Sequence, residues 1–309
     1  MGAPVDSLSL LLPERRRFAG QALAPETAQR LGRADRLDAA EPGDRAQLLR
    51  YFQLLPRGWP MAAITRQADA GDAPIHAWLR ADPVYVRPDV NGVRLMAFGN
   101  LGLTAEEAEA FIRPLKPLFG DTGFPISAGA PERWYLMLPR ESKLPVFTTP
   151  MEGLGEDLLA HLPDGPEGRR WRALLNEGQI LLHNHPRNAE RIAAGRMPVN
   201  SLWFWGGGVL PDAVSVSAPH VVGDDVELRA LATLAGADAR PGDTGSVLVD
   251  LRHARQWDAI ERDHLQPAIG QLGTRYASVL LDFADGVRWR IASGQRWRFW
   301  RRALSQLDA

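Results

Sequence analysis

The sequence predicts an α/β protein, with a mostly parallel sheet flanked by helices in the C-terminal half and an α+β subdomain in the N-terminal half. Three observations lead there. Beyond residue 168 apolar strand-like runs alternate with helix-like stretches, the pattern of parallel βαβ construction. Between 75 and 140, two apolar runs flank Asn91-Gly92, a type I′ turn signal, so Ala77 to Arg87 and Val93 to Phe98 should form a hairpin. The 309 residues are enough to bury a large core, and no apolar run approaches the ~20 residues of a membrane span.

Taken in order, Ser7 to Leu12 is a short apolar run and reads as a first buried strand. Residues 13 to 55 are helical in tone, with starts near Pro25 and Asp44 and with Leu48, Leu49, Phe52 and Leu55 at helical spacing. Trp59-Pro60 opens a helix that ends near Asp69-Ala70-Gly71-Asp72. After the hairpin, Thr104 with Glu107 makes a capping box for a helix to about Leu118. Phe124 to Ala128 and Trp134 to Leu138 read as strands.

The Pro- and Gly-rich stretch from Leu138 to Gly168 is the expected boundary. Arg169 to Leu182 is a long helix with Trp171, Leu174, Leu175 and Leu182 inward. Strands follow at Ser201 to Trp205, Ala213 to Ser217 and Gly245 to Leu251, with a helix from Asp225 to Leu234 between them. Gln256 to Leu272 is helical, Tyr276 to Phe283 and Val287 to Ile291 form a second hairpin, and Gly294 to Leu307 closes as a helix. The expected organisation is therefore 1–74 packing on the body, 75–140 the α+β subdomain, 141–168 a connection and 169–309 the α/β lobe.

Composition bounds the function. The chain is 45% hydrophobic and 24% charged with net charge −1, which gives no global field for nucleic acid or an anionic membrane. Only Lys116 and Lys143 are lysine, so 34 of the 36 basic residues are arginine; the side chain suits bidentate recognition of carboxylate and phosphate, but the abundance of Ala, Gly and Pro points to base composition as the cause. Zero cysteines exclude disulfides, thiolate metal sites and cysteine nucleophiles. Asp6 precedes the apolar run Leu8 to Leu12 without a basic region, unlike a signal peptide, and the expected location is the cytoplasm.

The densest cluster of recognition chemistry runs from Leu181 to Gly208. Its candidate ligand-binding residues are His183, His185, Asn188, Arg191, Asn200, Trp203, Trp205, Gly206, Gly207 and Gly208. Asn188 and Arg191 lie three apart on one helix face, as an anion-binding pair would, or as part of a solvated face. His183 and His185 could offer two imidazoles to one metal only in an extended geometry, and Glu190 is the nearby carboxylate. Alternatively His183 caps the helix before it and His185 orients Asn188 or Arg191. Alternation puts Ser201, Trp203 and Trp205 on one strand face and Leu202 and Phe204 on the other, so the tryptophans are either packing residues or a ligand wall. The glycines would sit at a strand end, where open α/β sheets bind ligands.

Other constellations are thinner. Asp72 and His76, and Asp157 and His161, have i, i+4 spacing, and Asp263-His264 are adjacent, but a hydrolytic metal centre needs several ligands converging from strand ends. His253 lies between Arg252 and Arg255 after a strand, as a pocket residue or a solvated basic loop. From Arg288 to Arg302 arginines and tryptophans interleave, a composition that can bind single-stranded nucleic acid. The 3-4-3 spacing of Trp297, Trp300, Leu304 and Leu307 instead predicts an amphipathic helix docked on the body, so nucleic acid is not the expected partner.

The run H-x-H-P-x-N-x-x-R-x-x-x-G-x-x-P-V-N-S-L-W-x-W-G-x-G from His183 to Gly208 resembles the RpfE-type regulatory proteins of bacteria, which are similar to archaeal-type cofactor-independent phosphoglycerate mutases. Leu79 to Val84, Glu132 to Leu136 and Phe299 to Arg302 extend the resemblance from about residue 75 to the end. The resemblance implies an alkaline-phosphatase-like core, in which the mutases use an Asp-Gly strand end, a serine nucleophile and Asp/His ligands for two metals. This chain lacks an Asp-Gly strand end in its first 75 residues, its only early serines are Ser7 and Ser9, and Asp263-His264 is followed by Leu265. The expectation is a non-catalytic regulatory protein with a mutase-like fold and no cofactor or metal, binding a small anionic, phosphorylated ligand or a protein partner. The alternative is a metal-dependent phosphomutase or phosphatase with a rearranged site.

Overall fold

A computed structural model describes residues 6–89 and 92–307. The chain divides into two compact units, one formed by residues 1–55 and 213–309, the other by 56–212. The stretch expected to be a boundary, 138–168, lies inside the second unit.

The first unit begins with β1 (Ser7–Leu12), α1 (Pro25–Arg33), β2 (Asp35–Arg36), α2 (Asp44–Leu49) and β3 (Phe52–Leu55). Leu48 and Leu49 belong to α2, but the helical spacing does not run on to Phe52 and Leu55. Those residues form a strand in which Phe52 and Leu54 are buried while Gln53 and Leu55 face out, so period 2 replaces period 3.6 after Arg50.

The second unit follows with α3 (Met61–Ala70), β4 (Ala77–Asp89), β5 (Gly92–Phe98), α4 (Ala105–Ile112), α5 (Leu115–Asp121), β6 (Ile126–Ala130) and β7 (Arg133–Leu138). It closes with α6 (Gly165–His183), α7 (Pro186–Ala193) and β8 (Ser201–Val209). The capping box at Thr104 forms as the spacing predicts. The helix expected to reach Leu118 breaks after Ile112: Arg113 keeps α geometry, but Pro114 has no N–H to continue the ladder of i to i−4 bonds. The β4–β5 hairpin is present, and its Asn91 turn position lies outside the described residues.

The chain then returns to the first unit with β9 (Ala213–Val216), β10 (His220–Val222), α8 (Val226–Leu234), β11 (Val247–Asp250), α9 (Trp257–Ile260), α10 (Gln266–Gly270), β12 (Ser278–Phe283) and β13 (Arg288–Ala292). Its six-stranded sheet runs β10-β11-β1-β12-β13-β2. The first four strands are parallel, and β13 and β2 are antiparallel, so the sheet is mostly parallel as predicted. Leu8, Leu10, Leu12, Val279, Leu281 and Phe283 face a core with Phe18, Leu31 and Trp257. In parallel strands residues in register share a face, so Ser7, Ser9, Leu11, Ser278, Asp250 and Asp282 face the other way.

Three expectations fail for tertiary reasons. Ser201 to Val209 is antiparallel to β4 in the second unit's sheet, not part of the parallel one. Ala213 to Val216 pairs antiparallel with β3 in a separate two-stranded sheet. Gly294 to Leu307 is not a helix: a 3-10 turn at Ser293–Trp297 is followed by bends. The body supplies bonds that replace helical ones, with Leu304 N–H donating to Ala28 O and Arg33 to Arg296 O.

Candidate functional site

The Leu181 to Gly208 motif is spent on building the second unit. Asn188 is buried, and its amide donates to Leu182 O and Val199 O and accepts from Val199 N–H, each at 2.8 Å, tying α7 to the chain entering β8. Arg191 has no exposed surface: Nε donates to Met197 O, Nη1 to the Glu107 carboxylate and Nη2 to Leu101 O. Asn200 accepts from Val86 N–H and donates to Val86 O, completing the edge of β4 as another strand would. Trp203 donates to Thr148 O and Trp205 to Asp82, and both are buried.

The three glycines serve a bend and a close approach. Between the pairs Trp78–Gly208 and Arg80–Trp205 the β8 side holds one extra residue, a bulge at which Gly206 takes φ +68°. An added Cβ there would sit 3.2 Å from Met61 Cβ, and at Gly208 2.8 Å from Pro60 Cβ, so bare backbone lets α3 lie on the sheet. At about 3.3 Å per residue these glycines lie roughly 20 Å along the strand from Asn200. Asn188, Arg191 and Asn200 are therefore not gathered with Gly206 to Gly208 into one pocket.

The histidines are also placed by local structure. His183 is exposed at the end of α6, where the Asn184 side chain, rather than His183, caps by donating to Ile180 O. His185 is the N-cap of α7: Nδ1 accepts from Arg187 N–H and Nε2 lies 3.1 Å from Ala110 O, so the ring is a neutral Nε2–H tautomer. Burial lowers its pKa. It lines an open groove of about 680 Å³ with Glu106, Glu109, Arg113, Arg187 and Glu190, whose charges largely pair among themselves. Asp72 is held by Arg66 and Asp263 by Arg262, and no group of three or more His, Asp or Glu converges among the described residues.

The stronger constellation lies in the first unit, at the C-terminal ends of its parallel strands, where open α/β sheets present their chemistry. Asp250 ends β11 and Asp282 lies one residue before the end of β12, both in register with Leu11 of β1. With strands about 4.8 Å apart, the two backbone positions stand roughly 10 Å apart with Leu11 between them. Each carboxylate already holds a guanidinium. Arg50 binds Asp282 through two bonds of 3.0 and 2.7 Å, and Tyr51 Oη donates to the same carboxylate at 2.9 Å. Burial and the neighbouring carboxylate push the Tyr51 phenol up, keeping it a donor.

Arg252 binds Asp250 through Nε at 2.8 Å and Nη2 at 2.7 Å, and Nη2 also lies 3.1 Å from Asp225, the N-cap of α8. His253 Nε2 stands 3.6 Å from the other Asp225 oxygen and is mostly exposed. Burial favours the neutral Asp225 carboxyl, but His253, Arg252 and the Leu228 N–H outweigh it and hold it at about 2. The same contact raises the His253 pKa. Of this set only His253 was a sequence candidate. The signal for the others was an Asp at the end of each apolar strand run, Val247-Leu248-Val249-Asp250 and Val279-Leu280-Leu281-Asp282.

The depressed pKa makes a pH prediction. Because folding lowers the Asp225 pKa, its contribution is present above about pH 4 and is lost as the pH falls toward 2, a difference of about 2 kcal/mol. Urea unfolding should show Asp225→Asn less stable than wild type at pH 6, with the gap closing toward pH 2. A pH-independent gap would refute the ion pair.

No family model matches the chain. A Geobacter sulfurreducens protein described as a probable 2,3-bisphosphoglycerate-independent phosphoglycerate mutase is 27% identical over 180 residues, 56% of this chain and 44% of that protein. The Methanosarcina barkeri 2,3-bisphosphoglycerate-independent phosphoglycerate mutase is 31% identical over 110 residues, 35% of this chain and 28% of its own length. The chain thus spans less than half the length of these curated relatives. Among solved structures, a cofactor-independent phosphoglycerate mutase from Thermoplasma acidophilum aligns with TM-score 0.42 at 19% identity, covering 95% of this chain and 90% of that one. A Pyrococcus horikoshii protein aligns with TM-score 0.45 at 12% identity, covering 93% and 87%. The chain is distantly similar in sequence to cofactor-independent phosphoglycerate mutases.

Proposed function

We propose that this protein is a non-catalytic regulatory relative of the cofactor-independent phosphoglycerate mutases, taking a small phosphorylated anion at the C-terminal edge of its parallel sheet. The observation that carries this reading is the guanidinium on each strand-end carboxylate, Arg50 on Asp282 and Arg252 on Asp250 and Asp225. Two-metal phosphoryl transfer needs open carboxylate and imidazole ligands aimed at the ions. Here the lone pairs are taken by fixed cations, and releasing them would strand buried charges, so these residues do not fit a metal pair as they stand. An anion meets the exposed His253, which Asp225 biases toward its cationic form. The resemblance to RpfE-type proteins supports a regulatory role.

The names of the curated relatives favour a second reading, a metal-dependent phosphomutase or phosphatase with a rearranged site. Incubation with 3-phosphoglycerate and Mn²⁺ separates the two. The non-catalytic reading expects no turnover approaching roughly 1 s⁻¹, the low end of typical enzymes. Chelator-sensitive turnover at or above that rate would overturn it. A thermal-shift screen of phosphorylated metabolites should find one whose presence at 100 times its Kd stabilises by about 2.7 kcal/mol, an effect that His253→Ala weakens.

A further inference from the structure

The segment 293–302 is pinned so that its rings stay outside. Arg33 donates to Arg296 O at 2.9 Å, Arg298 to Arg33 O and to Asp35, and Arg301 to Ala34 O at 2.8 Å. The chain lies so close on α1 that a Cβ added at Gly32 would sit 2.0 Å from Arg302 O. These contacts leave Trp297, Phe299 and Trp300 exposed by 66, 79 and 68%. The Phe299 and Trp300 rings are neighbours, with centroids 5.4 Å apart. Large rings gathered at such exposure mark binding surfaces.

We propose that this segment is a platform for single-stranded nucleic acid. Bases stack on exposed rings while phosphates pair with guanidinium groups, and any base serves because each has a π-face. Arg296, Arg298, Arg301 and Arg302 lie in the segment with no acidic residue, a basic island in a chain of net charge −1. The acid beside it, Asp35, is bonded to Arg298 and Arg290. An anionic partner complements that island. Arg298 stands between Trp297 and the adjacent pair Phe299-Trp300, and Arg296, Arg301 and Arg302 flank the three rings. A membrane surface would instead call for a helix with a segregated apolar face, and this segment is a 3-10 turn followed by bends. A duplex keeps its base faces stacked inside, so the rings select single strands.

The test titrates the full-length protein into a fluorescein-labelled oligothymidylate of about 20 nucleotides, longer than one ~4–16-nucleotide site, and reads anisotropy. Saturable binding is expected, weakening about 7- to 50-fold between 50 and 200 mM salt for two to four phosphate contacts. Trp297→Ala combined with Trp300→Ala should weaken it at least about 20-fold, as two lost stacks would, without moving the melting temperature. A duplex of equal length should bind more weakly. No saturation by about 100 µM, the weak limit of non-specific binding, overturns the proposal. So does unchanged affinity in the double variant, equal binding of the duplex, or ring-dependent binding of phosphatidylserine vesicles with none of the oligonucleotide.

Discussion

Asp82→Ala is expected to destabilise the protein by about 3–5 kcal/mol, the cost of breaking a buried ion pair by removing one of its members. Asp82 and Arg80 are each about 6% exposed and joined by two bonds of 2.8 Å. The carboxylate also accepts from Trp205 Nε1 at 2.7 Å and from Trp134 N–H, so one side chain ties β4 to β8 and β7. Arg80 meanwhile lies over the Tyr135 and Trp205 rings, and its other nitrogen reaches Thr65. Removing Asp82 therefore takes a two-bond carboxylate from the Arg80 guanidinium and the acceptor from the Trp205 indole N–H. Urea unfolding measures the loss, and a change under about 1 kcal/mol would show that the carboxylate is not buried as described.

Arg191→Ala should cost about as much, roughly 3–5 kcal/mol, for a different reason. The side chain is fully buried and joins three segments through Met197 O, Leu101 O and Glu107. Its loss takes a donor from the buried Leu101 O, at about 1–3 kcal/mol, unties the part-buried Met197 O, and leaves a cavity besides. Glu107 keeps Arg196 and the Thr104 cap, so its charge is not stranded. Arg191→Lys should recover only part of the loss, because an ammonium cannot span three acceptors in a planar fork. Binding of phosphorylated metabolites should be the same in wild type and in folded Arg191→Lys. A variant that keeps wild-type stability and loses a ligand would reinstate Arg191 as a binding residue.

The two results bear on how much of this protein can be read from its sequence. Sequence spacing found the Thr104–Glu107 capping box, the β4–β5 and β12–β13 hairpins, the long helix before His183 and the buried run Ser7 to Leu12. Each is a local matter, settled by period, caps and turn residues within about ten positions. The Asn188–Arg191 pair was also found, as an unusual concentration of polar groups. What the pair does was not legible, because two partners of Arg191, Leu101 and Glu107, lie 90 and 84 residues away in the chain.

The strand-end site escaped for the same reason in reverse. Asp250 and Asp282 are 32 residues apart and Arg50 lies 232 from its partner, so nothing in a sequence window joins them. They become neighbours because β11 and β12 both pair with β1 in parallel, a register set by sheet formation across the chain.

By itself the sequence determined most of the helices and strands, though not the strand Phe52–Leu55 or the non-helical segment after Ser293, and that a mostly parallel sheet with helices is built. Local sterics and the burial of apolar surface act through near neighbours, and a single chain displays those. Only the tertiary structure decided that β8 joins the antiparallel sheet, that the last aromatics face outward, and that arginines rather than open ligand positions meet the strand-end carboxylates. Those outcomes depend on hydrogen bonds and charges between residues far apart in the chain, whose energies appear only when folding brings both partners out of water together.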